Sequence, residues 1–126
     1  MSEILDAGAF IALENGDQLI RRRFQRARLS GIPLKTHGGV IAQVWRGGTR
    51  GQARMARALR SVEIVALDDD LGRRAGILLS RCGMSDAIDA ALVAMADHGD
   101  EIITSDPDDL DILVAASQRR INIIPV

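Results

Sequence analysis

The sequence has very few residues of some types, and these shortages exclude several classes of protein. Among its 126 residues the only cysteine is Cys82, so no disulfide can form within the chain and no cysteine cluster can hold zinc. No apolar run approaches the roughly eighteen residues of a membrane span, and Met1 is not followed by a basic, then apolar, leader. We therefore expect a cytoplasmic protein with no membrane partner.

Aromatic residues and lysine are also scarce. The aromatic residues are Phe10, Phe24 and Trp45, which leaves little scope for stacking against nucleic-acid bases. Lys35 is the only lysine, so the lysine that a phospho-receiver domain needs after its last strand is missing. A haloacid-dehalogenase-type phosphatase is disfavoured, because Asp6 has no second aspartate two positions later. Glycine-rich phosphate loops of the Walker and dinucleotide types are missing as well.

The positive charge is almost entirely arginine, and it is clustered. The formal net charge is -1, and all but one of the 16 basic residues are arginines, concentrated between Arg21 and Arg28 and between Arg46 and Arg60. Guanidinium groups suit phosphate contacts through their planar fork of donors. Arg46, Arg50 and Arg54 are therefore candidates for binding RNA phosphates; the alternative is that both clusters are solvated helix faces.

Short apolar runs alternate with helical patterns along the whole chain. Strands are expected at Ile4–Leu5, Leu34–Thr36, Val62–Leu67, Glu101–Thr104 and Ile121–Ile124. Helices are expected at Ala7–Leu13, Asp17–Leu29, Gly39–Arg46, from an N-cap at Thr49 to Arg60, at Asp68–Arg81, at Asp86–Asp97 with Ser85 as the cap, and at Asp108–Ser117. This alternation predicts an α/β three-layer sandwich with a central parallel sheet of four to five strands, in one domain over residues 1–126.

Aspartates follow two of the expected strands. Asp6 and Asp106 come where buried strands should stop, and ligands of open parallel sheets bind beyond the carboxyl ends of the strands. Asp86 and Asp89 are three residues apart, which puts both on one face of the first turn of their helix. Clustered carboxylates repel unless a cation neutralises them, and hard cations prefer oxygen ligands. The pattern favours Mg²⁺ or Mn²⁺, although each aspartate taken alone is also a common helix cap.

Four short segments, in their order along the chain, resemble the successive motifs of PIN domains, especially those of VapC-type toxins. The segments are Ile4–Leu13, Ala42–Arg46, Asp86–Ala94 and Ile103–Asp106. The resemblance covers nearly the whole chain and is specific in its combination. It implies a PIN-like fold and a Mg²⁺- or Mn²⁺-dependent endoribonuclease that is the toxin of a toxin–antitoxin module. It also implies an RNA substrate, a cognate antitoxin as partner and a homodimer.

The resemblance also assigns site residues. The first, third and fourth acidic positions of the family fall on Asp6, Asp89 and Asp106, which it implies are both catalytic and metal-binding. Asp86, one turn before Asp89, is a further candidate metal ligand. Asp109 is a weaker candidate, because capping the last helix is the alternative role for it.

The second acidic position of the family falls on Gln43, and here the sequence departs from the pattern. A neutral amide cannot act as an anionic ligand or a general base, although it can orient a water molecule. Either Asp86 or Asp109 takes over the missing charge, or catalysis is weak or lost and the chain is a PIN-fold module that binds RNA or protein. Glu14 and Glu63 are disfavoured as substitutes because of their positions.

Further expectations concern RNA contacts and assembly. Thr104 and Ser105, beside Asp106, are expected to donate hydrogen bonds to an RNA phosphate or to water. The homodimer is expected to use apolar helix residues that one small sheet does not need, such as Ile11, Leu13 and Leu19.

Overall fold

The computed structural model describes residues 1–48 and 52–126. Its strands are β1 (Glu3–Leu5), β2 (Leu34–His37), β3 (Val62–Val65), β4 (Glu101–Thr104) and β5 (Asn122–Pro125). Its helices are α1 (Ala7–Glu14), α2 (Gln18–Ser30), α3 (Gly38–Val44), α4 (Gln52–Leu59), α5 (Asp69–Cys82), α6 (Ala87–Met95) and α7 (Pro107–Ser117). The expected N-cap at Thr49 lies outside the described residues.

The five strands form one sheet in the order β3-β2-β1-β4-β5, and every neighbouring pair is parallel. The chain moves from β1 outward to β3 and then returns to the other side of β1 with β4. The order therefore reverses between β1 and β4, and open parallel sheets form a ligand crevice at such a reversal.

Two groups of helices cover the sheet. Helix α1 contacts α2, α3 and α4, whereas α5, α6 and α7 contact one another. The strands and helices therefore form three layers, and the predicted α/β sandwich with a parallel sheet is confirmed. Each strand is only three or four residues long, so the sheet depends on both helical layers for burial.

The core lies where the central strands meet α1 and α6. Ile4, Leu5, Ile102 and Ile103 are fully buried, as parallel strands covered on both faces require. Helix α6 contributes the consecutive buried residues 90–94, of which three are alanines that let the helix approach the sheet closely. Full burial of a leucine or isoleucine stabilises a fold by about 1.5–3 kcal/mol.

Aspartate side chains determine where several helices begin. Asp17 caps α2 by accepting a hydrogen bond from Ile20 N at 3.1 Å, and Asp68 caps α5 in the same way. The expected cap of α6, Ser85, is wrong, since Asp86 fills that role. Strand β3 ends at Val65, short of the predicted Leu67, because it lies at the sheet edge and pairs only with β2.

A partly buried ion pair fixes α2 to the sheet. Arg23 Nη2 lies 2.9 Å from Glu101 Oε1 and 3.2 Å from Glu3 Oε1, and the two glutamates are opposite each other in β1 and β4. Burial raises the pKa of Glu3 above its ordinary value, and the charge of Arg23 opposes that rise. One member of the first arginine cluster is thus a structural residue.

No helix within residues 1–48 and 52–126 is both long enough and apolar enough to span a membrane.

Candidate metal centre

The ends of β1 and β4 bring two aspartates to the same edge of the sheet. Asp6 follows β1 directly, and its backbone N–H donates to Ile103 O of β4 at 3.0 Å. Asp106 follows β4 by two residues and occupies the N-cap position of α7, where its side chain forms no capping hydrogen bond. The carboxyl group of Asp106 is therefore available to a ligand at the crevice between the strands.

Thr104 connects these two aspartates. Its hydroxyl donates to Asp6 Oδ2 at 2.7 Å and accepts from the backbone N–H of Asp106 at 2.9 Å. The other oxygen of Asp6 accepts from Ala7 N at 2.7 Å. Both oxygens of this buried carboxylate are held in place, and each retains a lone pair, because a carboxylate offers about four acceptor sites.

Three carboxylates converge in front of this pair of strands. Oxygens of Asp89, Asp106 and Asp109 lie within 4.8 Å of one another. Asp89 is on the first turn of α6 and half-buried, and Asp109 is on the first turn of α7 and exposed. Asp6 borders the group, since its charge raises the pKa of both Asp89 and Asp106.

The proton affinity of the cluster reflects burial and mutual repulsion. Burial, followed by the charges of Asp86 and Asp6, raises the pKa of Asp89 to about 7. The charge of Asp109 is the main cause that raises the pKa of Asp106. Repulsion of this kind is what a bound cation relieves.

Asp86 and Asp109 differ from their expected roles. Asp86 Oδ1 caps α6, accepting from Ile88 N and Asp89 N at 3.0 Å each, and Asp86 is not a member of the close group of three. Asp109, expected mainly as a cap, is a member. Its helical position three residues after Asp106 places it there.

Gln43 is exposed on α3, one turn after Gly39. A side chain at Gly39 would meet Ile88 of α6 at 3.3 Å, so this face of α3 begins beside the first turn of α6. Glu14 is remote from the carboxylates, because it ends α1 and accepts a 2.7 Å hydrogen bond from Gln52.

His37 is a positioning residue that sequence reasoning missed. It is fully buried, its Nδ1 accepts from Gly39 N at 3.0 Å, and its Nε2 lies 2.9 Å from Ile88 O. Nε2 therefore carries the proton and donates to Ile88, while burial lowers the pKa of the ring. The ring joins β2, α3 and the turn that carries Asp89. Its place directly after the predicted strand Leu34–Thr36 was the available sequence clue.

Of the two residues beside Asp106 that were expected to contact RNA, one is buried and the other is exposed. The expected RNA contact of Thr104 needs correction, because its side chain is fully buried and its hydroxyl is occupied by Asp6 and Asp106. Ser105 is exposed.

Gly8 brings Ser105 close to α1. A methyl group on Gly8 would lie 2.7 Å from Ser105 Cβ and 2.8 Å from its backbone nitrogen. Only a residue without a side chain allows this approach, which holds the β4–α7 connection against the first turn of α1.

The expected arginine contacts lie around the helices that precede β3. Arg46 is exposed and its Nη1 donates to Trp45 O at 2.8 Å, at the end of α3. Arg54 Nη1 donates to Glu14 O at 3.3 Å. Arg50 lies outside the described residues.

The donor set fits a hard divalent cation. Asp89, Asp106 and Asp109 offer oxygens close enough together to contact one ion, and Mg²⁺ and Mn²⁺ prefer carboxylate oxygens. No histidine or cysteine belongs to this group, so a zinc site of the usual nitrogen and sulfur ligands does not fit.

Comparison with known proteins identifies the fold. No protein-family model matches the sequence, and no curated protein matches it either. A solved chain does match in structure, from VapBC2 of Rickettsia felis bound to a DNA fragment from their promoter, with a TM-score of 0.72. The match covers 98% of this chain and 98% of that chain, at 12% sequence identity. The fold is PIN-like.

The raised pKa of Asp89 predicts how stability depends on pH. The folded protein keeps the Asp89 proton up to about pH 7, whereas the unfolded chain loses it near 3.8, the ordinary pKa of an aspartate. Stability of the metal-free protein should therefore fall as pH rises between these values. Asp89→Asn should remove this fall and be more stable than wild type at pH 8, by about 1–2 kcal/mol after allowance for solvent screening.

Urea denaturation with chelator at pH 5 and pH 8 measures this difference. The contribution of His37 is shared by both proteins and cancels, whereas the interaction of Asp89 with the charge of Asp106 is part of the measured difference. Parallel pH dependences in wild type and Asp89→Asn would contradict the raised pKa.

The bridging hydroxyl of Thr104 gives a second prediction. Thr104→Val keeps the shape but leaves Asp6 Oδ2 and the N–H of Asp106 without their partner, which should destabilise the protein by about 2 kcal/mol. Thr104→Ser keeps the hydroxyl and should cost about 1 kcal/mol or less. Equilibrium denaturation of the two variants tests the bridge, and equal losses of stability would count against it.

Proposed function

We propose that the protein is a Mg²⁺- or Mn²⁺-dependent endoribonuclease, the toxin of a toxin–antitoxin module. The observation that carries this proposal is the convergence of Asp89, Asp106 and Asp109 within 4.8 Å beside the buried Asp6. A cation bound among these carboxylates would neutralise their mutual repulsion. The resemblance of the sequence motifs to VapC-type toxins and the PIN-like fold support the same conclusion.

Each carboxylate has a distinct role in the proposed site. Asp89, Asp106 and Asp109 hold the ion, and Asp6 contributes from the buried side with its orientation fixed by Thr104. Asp89 is protonated in part of the molecules near neutral pH, so the ion competes with that proton and binds more tightly as pH rises. When bound, Mg²⁺ or Mn²⁺ supplies a Lewis acid that activates water and neutralises charge on the phosphodiester.

Several features support RNA as the substrate. Arginine dominates the basic residues, and two exposed arginines follow β2, Arg46 just after α3 and Arg54 on α4. Phe10 and Phe24 are buried, which leaves Trp45, with 42% of its surface exposed, as the one aromatic residue available for base stacking. Recognition of the backbone through charge and shape fits this surface better than recognition of bases.

A protein partner is part of the proposal. The similar solved chain comes from VapBC2, whose name pairs two components, and we extend that to an antitoxin of this chain. The acidic crevice favours a partner that inserts a cationic side chain near Asp6 and Asp89. Co-purification of a co-expressed neighbouring gene product, lost on Asp6→Ala plus Asp89→Ala, is the test.

The homodimer stays a prediction. Ile11 and Leu19 are exposed, with 47% and 75% of their surface accessible, and so are available to a second copy. Leu13 is buried within the chain and cannot take part as expected. Sedimentation at several concentrations decides the oligomeric state.

Asp109 provides a test with a matched control on the same helix. Asp109→Asn should weaken Mn²⁺ binding and RNA cleavage by about tenfold or more, because it removes a charged ligand. Asp111→Asn makes the same chemical change at an exposed position two residues later, outside the group of three, and should change neither quantity. Calorimetry and cleavage of a mixed RNA pool, with and without chelator, measure both. Absence of metal-dependent cleavage by wild type would contradict the nuclease, and equal effects of the two variants would contradict the site.

A second candidate function is a PIN-fold binding module with weak or lost catalysis. It is favoured by Gln43, an exposed amide at the position where the resemblance implies an acidic ligand. On this alternative the carboxylate cluster lacks one negative charge and binds the ion too weakly for turnover.

Gln43→Glu distinguishes the two candidates, because it changes the charge with little change in shape. If the missing charge limits the site, the variant should bind Mn²⁺ roughly tenfold to a hundredfold more tightly and cleave RNA faster than wild type. If Asp109 already replaces it, wild type should cleave well and the variant should show no gain. Gln18→Glu, on the exposed first turn of α2 and outside the group of three carboxylates, is the control for an added charge.

A further inference from the structure

A second charged feature lies between helices α2 and α4. A cavity of about 290 Å³ has Leu13 and Phe24 in its lining, together with four arginines. The arginines are Arg21 and Arg28 of α2 and Arg54 and Arg57 of α4. The two arginines of α2 are seven residues apart and the two of α4 are three residues apart, so each pair lies on one face of its helix. We call this feature the arginine cleft.

The cleft has no internal counter-charge. Among the described residues no carboxylate lines it, and none of its four arginines forms an ion pair. Other arginines of the chain are neutralised, as Arg23 is by Glu3 and Glu101 and as Arg73 is by Asp69. Four guanidinium groups around one cavity repel one another, and an anion that enters the cavity relieves that repulsion.

Helix dipoles account for only part of the arrangement. Arg28 and Arg57 are in the last turns of α2 and α4, where a positive side chain is favourable. Arg21 lies in the first turn of α2, where the same effect is unfavourable. Its presence in the cleft is therefore not explained by the helix to which it belongs.

The arginine cleft and the carboxylate cluster are at opposite ends of α1. Asp6 caps the start of this helix, and Glu14 at its end accepts a hydrogen bond from Arg54 Nη1. A helix of eight residues rises by about 12 Å. A single nucleic-acid strand that advances at least ~3.4 Å per nucleotide covers the length of α1 in roughly four nucleotides or fewer.

We propose that the arginine cleft binds the phosphate backbone of single-stranded RNA, a few nucleotides away from the bond at the carboxylate cluster. This inference rests on the proposed ribonuclease function. The guanidinium forks grip phosphate oxygens, and the buried Phe24 offers no stacking face, so the contact is independent of base sequence. An acidic protein segment is the competing occupant. However, four guanidinium groups, two on each helix, match the regularly spaced phosphates of RNA more closely than the irregularly spaced carboxylates of a protein segment.

The test measures binding of a fluorescent single-stranded RNA of mixed sequence by anisotropy, with chelator present so that no cleavage occurs. Arg28→Gln plus Arg57→Gln should reduce the magnitude of the negative slope of log affinity against log salt concentration by about 1.4. It should also reduce the affinity for RNA by on the order of tenfold at 0.1 M salt. Arg22→Gln plus Arg26→Gln is the matched control. It removes the same total charge of two, both from α2, but these two arginines line a separate cavity beside β5.

Retained slope and affinity in the cleft variant, or an equal loss in the control, would overturn the proposal. If the cleft variant lost binding to a poly-glutamate peptide but bound RNA as wild type does, the cleft would be assigned to a protein partner. That result would also overturn the proposal. Because the assay needs no catalysis, RNA binding that depends on the cleft in a protein that never cleaves RNA would reject the nuclease and retain the cleft.

Discussion

Strands β1 and β4 pair in parallel with Leu5 opposite Ile103, and this register sets Asp6 opposite Thr104. The 2.7 Å hydrogen bond between those two side chains exists only in that register. A slip by one residue would turn every side chain of β1 to the other face of the sheet, so that Ile4 and Leu5 would each face the helical layer against which they do not fit. Packing of the core and alignment of the candidate site are therefore fixed by the same pairing.

Repulsion among carboxylates is the cost that this arrangement must offset. Three helices begin at the crowded edge, with Asp6, Asp86 and Asp106 at the N-cap positions of α1, α6 and α7. The positive ends of their dipoles and the hydroxyl of Thr104 offset part of the repulsion. Burial of Asp89, together with the repulsion that remains, raises its pKa to about 7. A cation bound at this edge would relieve the repulsion that the protein alone leaves uncompensated.

The fold and the location of the site were predictable because they depend on local patterns. Apolar runs that end in aspartate indicated the strands and the edge where Asp6 and Asp106 meet. The choice between Asp86 and Asp109 was not predictable in this way, since both lie beside the first turn of a helix and only the approach of α6 to α7 separates them. Thr104 and His37 likewise act through contacts with residues distant in sequence, Asp6 and Ile88.

The contacts of the two arginine clusters were likewise not predictable from local sequence, and they determine how charge is distributed on the surface. Helical periodicity sends Arg23 into an ion pair with the sheet and Arg21 and Arg28 into the arginine cleft. A net charge of -1 therefore conceals a positive and a negative surface at opposite ends of α1. On the proposed function, RNA would be attracted to the positive surface and repelled by the negative one until a cation neutralises it. Binding and cleavage would then be separable on this surface, with the arginines controlling affinity and the cation admitting the phosphate to the carboxylates.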